Sequence, residues 1–284
     1  MTRKNIVSES NGVRSQKDLQ LRDIRGLLVD LDGVIHVGKQ ILPGVDAFLD
    51  FIQRRSIGVI YITNNSTVSL ETLGSRLSRY GLNAGPDQLL TSVTATLAYL
   101  RDILEPGTNI YAVGERGLHQ ALEEAGFSQT GGKVDAVVVG LDREFSYEKI
   151  ERAASEILAG AKFIACNMDS GAPKEDGIAP GAGAMVAAIK AVVEVEPVII
   201  GKPEPMIFQE GIRRLKLPKE QCAAIGDRLD VDILCAKRAG ITAILLLTGL
   251  TKADMIRGNQ VEADFVFSDL NALIRTWDEV LEGS

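Results

Sequence analysis

Two aspartates one residue apart, Asp30 and Asp32, stand at the end of an apolar run, Gly26-Leu27-Leu28-Val29, and are followed at once by Gly33. In extended backbone, side chains two apart point to the same side, so both carboxylates can face one pocket. Carboxylates that close repel each other, and a divalent cation with oxygen ligands is the usual remedy. Other polar residues also follow apolar runs. Thr63, Asn64 and Asn65 come after 57–62, Lys202 after 198–201, and Asp227 after 223–226, with Asp230 and Asp232 close behind. In an open parallel sheet, ligands bind outside the carboxyl ends of the strands, where such residues would meet. A cation and a lysine can neutralise a phosphate, while a hydroxyl and main-chain N–H groups hold its oxygens. Taken singly, each residue has a plainer use. Thr63 could cap a helix or close a turn, Lys202 could be a solvated surface lysine, and the three later aspartates could bias a helix's first turn.

The elements that must position these groups alternate. Apolar periodicity predicts strands over 26–30, 57–62 and 223–225, with helices following each. Between them the chain predicts a second alternating series. Its helices cover 92–102, 116–125, 146–158 and 184–193, its strands 109–113, 134–140 and 161–166, and a long glycine- and proline-bearing loop covers 167–183. Strand-helix alternation means an α/β fold with a parallel sheet and right-handed crossovers. The expected division is a flexible tail over 1–22, an outer sheet domain over 23–85 and 194–284, and a smaller inserted α/β domain over 86–193. Val198 to Gly201 is read as the point where the outer sheet resumes.

Composition narrows the function. The chain has 284 residues, with 38 acidic against 31 Lys and Arg, a net charge of −7. That balance argues against a general nucleic-acid binder or an anionic-membrane binder. The apolar run 241–250 is too short to span a bilayer, and the polar first twenty residues are no signal peptide. Three cysteines, Cys166, Cys222 and Cys235, show no Cys-x-x-Cys spacing and read as buried thiols in a reducing compartment, so the cytoplasm is expected.

Asp30-Leu31-Asp32-Gly33-Val34, Thr63-Asn64-Asn65, Lys202 before Pro-Glu-Pro, and Gly226-Asp227-Arg228-Leu229-Asp230-Val231-Asp232 together resemble the four ordered motifs of the haloacid dehalogenase superfamily. The insert between Thr63 and Lys202 resembles the subclass with a C2-type α/β cap, which includes NagD-like and nitrophenylphosphatase-like enzymes. The segments Val113 to Leu118, Val139 to Asp142 and Pro180 to Ala184 match further motifs of that cap. The resemblance implies a Rossmann-like core and a Mg²⁺-dependent phosphatase working through an aspartyl-phosphate. It assigns Asp30 as nucleophile and Asp32 as general acid and base. Mg²⁺ falls to Asp30, Asp227 and the main-chain carbonyl of Asp32, and Asp232 orients water beside it. Thr63, Asn64, Asn65 and Lys202 line the phosphate. Asn167, Asp169 and Ser170 lie where relatives read the substrate, a small phosphorylated metabolite: a sugar, polyol or short acid phosphate, or a nucleotide. A homodimer through the cap is also implied. The alternatives are transfer of the phosphoryl group to another acceptor, or phosphate sensing without turnover. His36 stands where many relatives carry an aromatic residue and is expected to be a loop contact near the site, and Asp230 is expected to be structural.

Overall fold

Buried apolar strands followed by amphipathic helices set the architecture, and the computed structural model describes residues 16–174 and 177–283. In chain order come α1 (Gln16–Asp23), β1 (Gly26–Asp30), β2 (His36–Val37), β3 (Gln40–Ile41), α2 (Val45–Arg54) and β4 (Gly58–Thr63). Next are α3 (Leu70–Ser78), β5 (Leu89–Thr91), α4 (Ser92–Ile103), β6 (Ile110–Val113), α5 (Arg116–Glu124) and β7 (Ala136–Val139). They are followed by α6 (Tyr147–Leu158), β8 (Lys162–Ala165), β9 (Gly171–Lys174), β10 (Gly177–Pro180), α7 (Ala182–Val193) and β11 (Val198–Ile199). The last are α8 (Met206–Leu215), β12 (Cys222–Gly226), α9 (Leu234–Ala239), β13 (Thr242–Leu246), β14 (Phe265–Phe267) and α10 (Leu270–Glu282). The chain gathers into two compact units, one running to Tyr61 and resuming at Ile212, the other Ile62–Gly211.

In the first unit β1, β12, β13 and β14 lie side by side and parallel, Leu28 opposite Ala224 and Ile225 opposite Ile244. Every residue of β1 and β12 is buried, which is why both read as unbroken apolar runs rather than alternating ones. Helix α10 packs on α2, with the Phe51 and Trp277 rings 5.3 Å apart and tilted by 52°. Residues 16–22, expected in a flexible tail, belong instead to α1, and 1–15 lie outside the described residues. The physical reason is Leu21 at 1% exposed: with Ile24 it gives this polar stretch a buried foot where α1 packs on α10.

The second unit has its own parallel sheet, in the order β11-β8-β7-β6. Its core joins Val137, Val139 and Phe163 of the sheet to Ile157 of α6 and Val186 and Ile189 of α7. Side-chain caps open its helices at Ser69, Thr91 and Ser146, one residue before each helix begins. Two expectations are corrected here. Val198 and Ile199 pair with Ile164 and Ala165 of this sheet, so β11 extends the inserted series rather than resuming the outer one. The long loop contains an antiparallel hairpin, β9 and β10, with Ala179 opposite Ala172. Prolines 173 and 180 speak against a sheet interior, but a two-strand hairpin has only edges, where proline is tolerated. Among the described residues no helix is long and apolar enough to cross a membrane.

Candidate active site

The candidate residues fall into two groups, one in each unit. In the first, β1 delivers Asp30 at its last position, β12 delivers Asp227 at its end, and a π-helical turn over Leu229–Ile233 turns Asp232 inward. Asp30, Asp227 and Asp232 are 9%, 3% and 1% exposed, and one carboxylate oxygen from each lies within 4.8 Å of the others. Three buried carboxylates this close are an oxygen donor set suited to a hard cation. Two of them are oriented by main-chain donors. Leu250 N–H donates to Asp227 Oδ2 at 2.6 Å, and Arg228 N–H donates to Asp232 Oδ2 at 3.1 Å.

Glycines make the convergence sterically feasible. Gly33 has φ +83°, and a Cβ there would meet Asp227 Cγ at 2.5 Å. A Cβ on Gly249 would overlap Asp227 Oδ2, and one on Gly226 would overlap Asp232. The loop after β13 was not foreseen from the sequence, yet it ties this group together. Thr248 Oγ1 donates to Gly33 O at 2.5 Å, Thr251 N–H donates to Asp227 O at 3.2 Å, and Leu229 N–H donates to Thr251 Oγ1 at 3.3 Å. The available signal was positional, a Thr-Gly pair at the carboxyl end of another parallel strand.

Asp32 differs from its neighbours, with a side chain 70% exposed and His36 Nδ1 3.7 Å away. His36 itself is buried, carried by the turn in which Gly33 N–H donates to His36 O at 2.8 Å. Asp230 is exposed and forks with Arg228, Nη2 to Oδ2 at 2.8 Å, so it serves as a surface ion pair.

In the second unit Thr63 ends β4, buried, and its Oγ1 accepts Asn65 N–H at 3.1 Å. Asn65 Oδ1 accepts both Thr67 N–H and Thr67 Oγ1–H at 2.8 Å. These local turns leave the Thr63 hydroxyl proton and the Asn65 carboxamide N–H groups as donors. Asn64 faces Lys202 instead, donating to Lys202 O and accepting Lys202 N–H, each at 2.9 Å. Lys202 is 3% exposed. Of the three substrate-reading candidates, Asn167 is buried and donates to Asn64 O at 2.7 Å, while Asp169 accepts from Asn64 Nδ2 at 3.2 Å. Ser170 is exposed. Cys166, next to this turn, is buried, and burial pushes its thiol up to about 11 while a hydrogen bond with Thr96 pulls the other way.

Comparison with known proteins points the same way. Residues 27–128 match the family model of haloacid dehalogenase-like hydrolases, and 199–273 match a second model of HAD-like hydrolases. The chain is 36% identical over 256 residues to an acid sugar phosphatase of Staphylococcus saprophyticus, covering 90% of this chain and 98% of that one. Among solved structures it is similar to the 4-nitrophenylphosphatase of Thermotoga maritima, with a TM-score of 0.85 and 30% identity over 90% of this chain and 98% of that one. NagD of E. coli aligns with a TM-score of 0.81 and 30% identity, over 87% and 97% of the two chains.

Proposed function

The chain belongs to the haloacid dehalogenase superfamily, in its NagD-like subclass, and from that premise we propose that it hydrolyses small phosphate monoesters through a phosphorylated Asp30. It is a phosphomonoesterase by kinship. The observation that carries the finer reading is the buried trio Asp30, Asp227 and Asp232. Asp30 and Asp227 by their carboxylates, and Asp32 by its main-chain carbonyl, would hold Mg²⁺, with Asp232 oriented beside them. When bound, the ion supplies positive charge that offsets the phosphate dianion and polarises a phosphoryl oxygen.

Asp30 attacks phosphorus, forming an acyl-phosphate bond as the ester P–O bond breaks. Asp32 gives its proton to the departing alcohol oxygen, then takes one from the water that cleaves the acyl phosphate and returns Asp30 to a carboxylate. The wide exposure of Asp32 supports this role, since a group in contact with water can exchange protons with it. Thr63 O–H, Asn65 N–H and the Lys202 ammonium are the proposed donors to the phosphate. Sugar phosphates are the substrate class we favour, because the acid sugar phosphatase relatives match along nearly the whole chain. The functional division we propose is a core built on the sheet of β1, β12, β13 and β14 and a cap built on the sheet of β6, β7, β8 and β11, acting in the cytoplasm.

The test is release of inorganic phosphate from a panel of sugar, polyol, short acid and nucleotide monophosphates, with and without Mg²⁺. Turnover that needs Mg²⁺ and vanishes in Asp30→Asn is expected. Turnover undiminished in Asp30→Asn would sink the assignment.

A further inference from the structure

We propose that Asn64 is a positioning residue, which fixes the main chain of Lys202 and ties it to the Asn167–Asp169 turn, rather than a ligand of the substrate. The role given to Lys202 rests on the phosphatase reading above; the clamp itself rests on geometry.

The ladder between β11 and β8 runs on past the strands, with Ile200 N–H donating to Ala165 O at 3.0 Å and Gly201 N–H to Cys166 O at 2.8 Å. At Lys202 the partner changes. Asn64 Oδ1 accepts Lys202 N–H and Asn64 Nδ2 donates to Lys202 O, both at 2.9 Å. One carboxamide thus makes the two-bond exchange that a neighbouring strand would make. The remaining Nδ2 proton goes to Asp169 Oδ2 at 3.2 Å. A carboxamide has two donors, so neither is left for a phosphate oxygen. The amide orientation is set by its partners, an N–H on one side and a carbonyl and a carboxylate on the other.

Asn64 is itself anchored. Its carbonyl accepts Ser92 Oγ–H at 2.8 Å and Asn167 Nδ2–H at 2.7 Å. Asn167 Oδ1 in turn accepts Asp169 N–H at 3.1 Å, closing the loop back to the carboxylate that Asn64 touches. Gly201 permits this approach, since a Cβ there would stand 2.7 Å from Asn64 Oδ1 and 2.6 Å from Cys166 O. A lysine stem has four rotatable bonds, so where its main chain is pinned decides where its ammonium can reach. Changes in the Asn167–Asp169 turn therefore reach Lys202 through Asn64.

The experiment is a double-mutant cycle in the full-length protein: Asn64→Leu, Lys202→Met and the pair. It is read in kcat and KM on a sugar phosphate, in binding of inorganic phosphate, and in amide exchange of a peptide spanning 198–206. Asn64→Leu is expected to lower kcat/KM roughly 10- to 100-fold. The pair should be no worse than Lys202→Met alone, and exchange at Lys202 should accelerate without a matching acceleration across β7 and β8. Additive losses in the pair, or unchanged exchange at Lys202, would overturn the proposal. Asn64→Ala removes the same carboxamide and adds no bulk. It should match Asn64→Leu in lost turnover and in faster exchange at Lys202, and it carries the test if the leucine variant does not fold. A wild type that hydrolyses no ester would fail the phosphatase reading, while amide exchange still decides the clamp.

Discussion

The two groups of candidate residues are held by different physics. In the first unit, Asp30, Asp227 and Asp232 bring like charges together in a buried place, in space that a Cβ at 33, 226 or 249 would fill. In the second, Asn64, Asn167 and Ser92 are neutral, and they meet by saturating each other's donors and acceptors. The acidic group gathers like charges into an oxygen donor set, which suits a hard cation. The amide group is satisfied internally, which suits holding a lysine in place. Replacing a charge by a neutral isostere should therefore be severe in the first unit, whereas the second should answer mainly to lost hydrogen bonds.

The largest expected effect breaks or upholds that contrast directly. Asp227→Asn keeps the shape and the acceptor for Leu250 N–H while removing one charge. Turnover should drop by at least about 10²-fold, as for loss of a principal electrostatic group, and calorimetric titration with Mg²⁺ should show weakened binding. If the neutral variant binds Mg²⁺ like wild type, charge is not what the first unit supplies. Gly249→Ala should come next. Its methyl would overlap Asp227 Oδ2, and overpacking of this kind costs about 1–3 kcal/mol, read as a lowered denaturation midpoint. Mg²⁺ affinity should fall with it. Stability lost without any change in Mg²⁺ binding would mean the loop supports the fold and not the carboxylate.

The smallest effect concerns what the units share. Cys166 in one and Cys222 in the other are both buried, and burial pushes each thiol up to about 11 from an ordinary 9.0, with Glu220 adding to the rise at Cys222. A raised folded value favours the protonated thiol, so this stability is fully present below about pH 9 and is lost as pH climbs through 11. Melting temperatures between pH 8 and 10.5 should decline less steeply in Cys166→Ala than in wild type. Equal slopes would mean the thiol contributes no such dependence.

Much of this was legible in the chain because the signals are local. Asp30 and Asp227 each stand at the end of an unbroken apolar run, and the helices expected over 92–102 and 146–158 lie within a residue of α4 and α6. What was missed depends on partners far along the chain. A two-residue strand such as β11 has no periodicity, so which sheet it joins is settled only when Val198 meets Ile164. Thr248, Gly249 and Leu250 carry no chemistry in their side-chain types that would single them out, and Leu250 acts through its main-chain N–H. Asn64 looks like a ligand by type and position, yet its partners lie at 167, 169 and 202.

Sequence by itself determined the α/β class, the order of the four motifs and the placing of a carboxylate at the ends of β1 and β12. Those follow from backbone periodicity and local propensity, which act over a few residues. Tertiary structure alone decided that a loop after β13 orients Asp227 and that the Asn64 carboxamide pairs with the main chain of Lys202. Hydrogen bonds and steric exclusion depend on distances of a few ångströms between groups that the chain separates by dozens of residues, and only folding sets those distances.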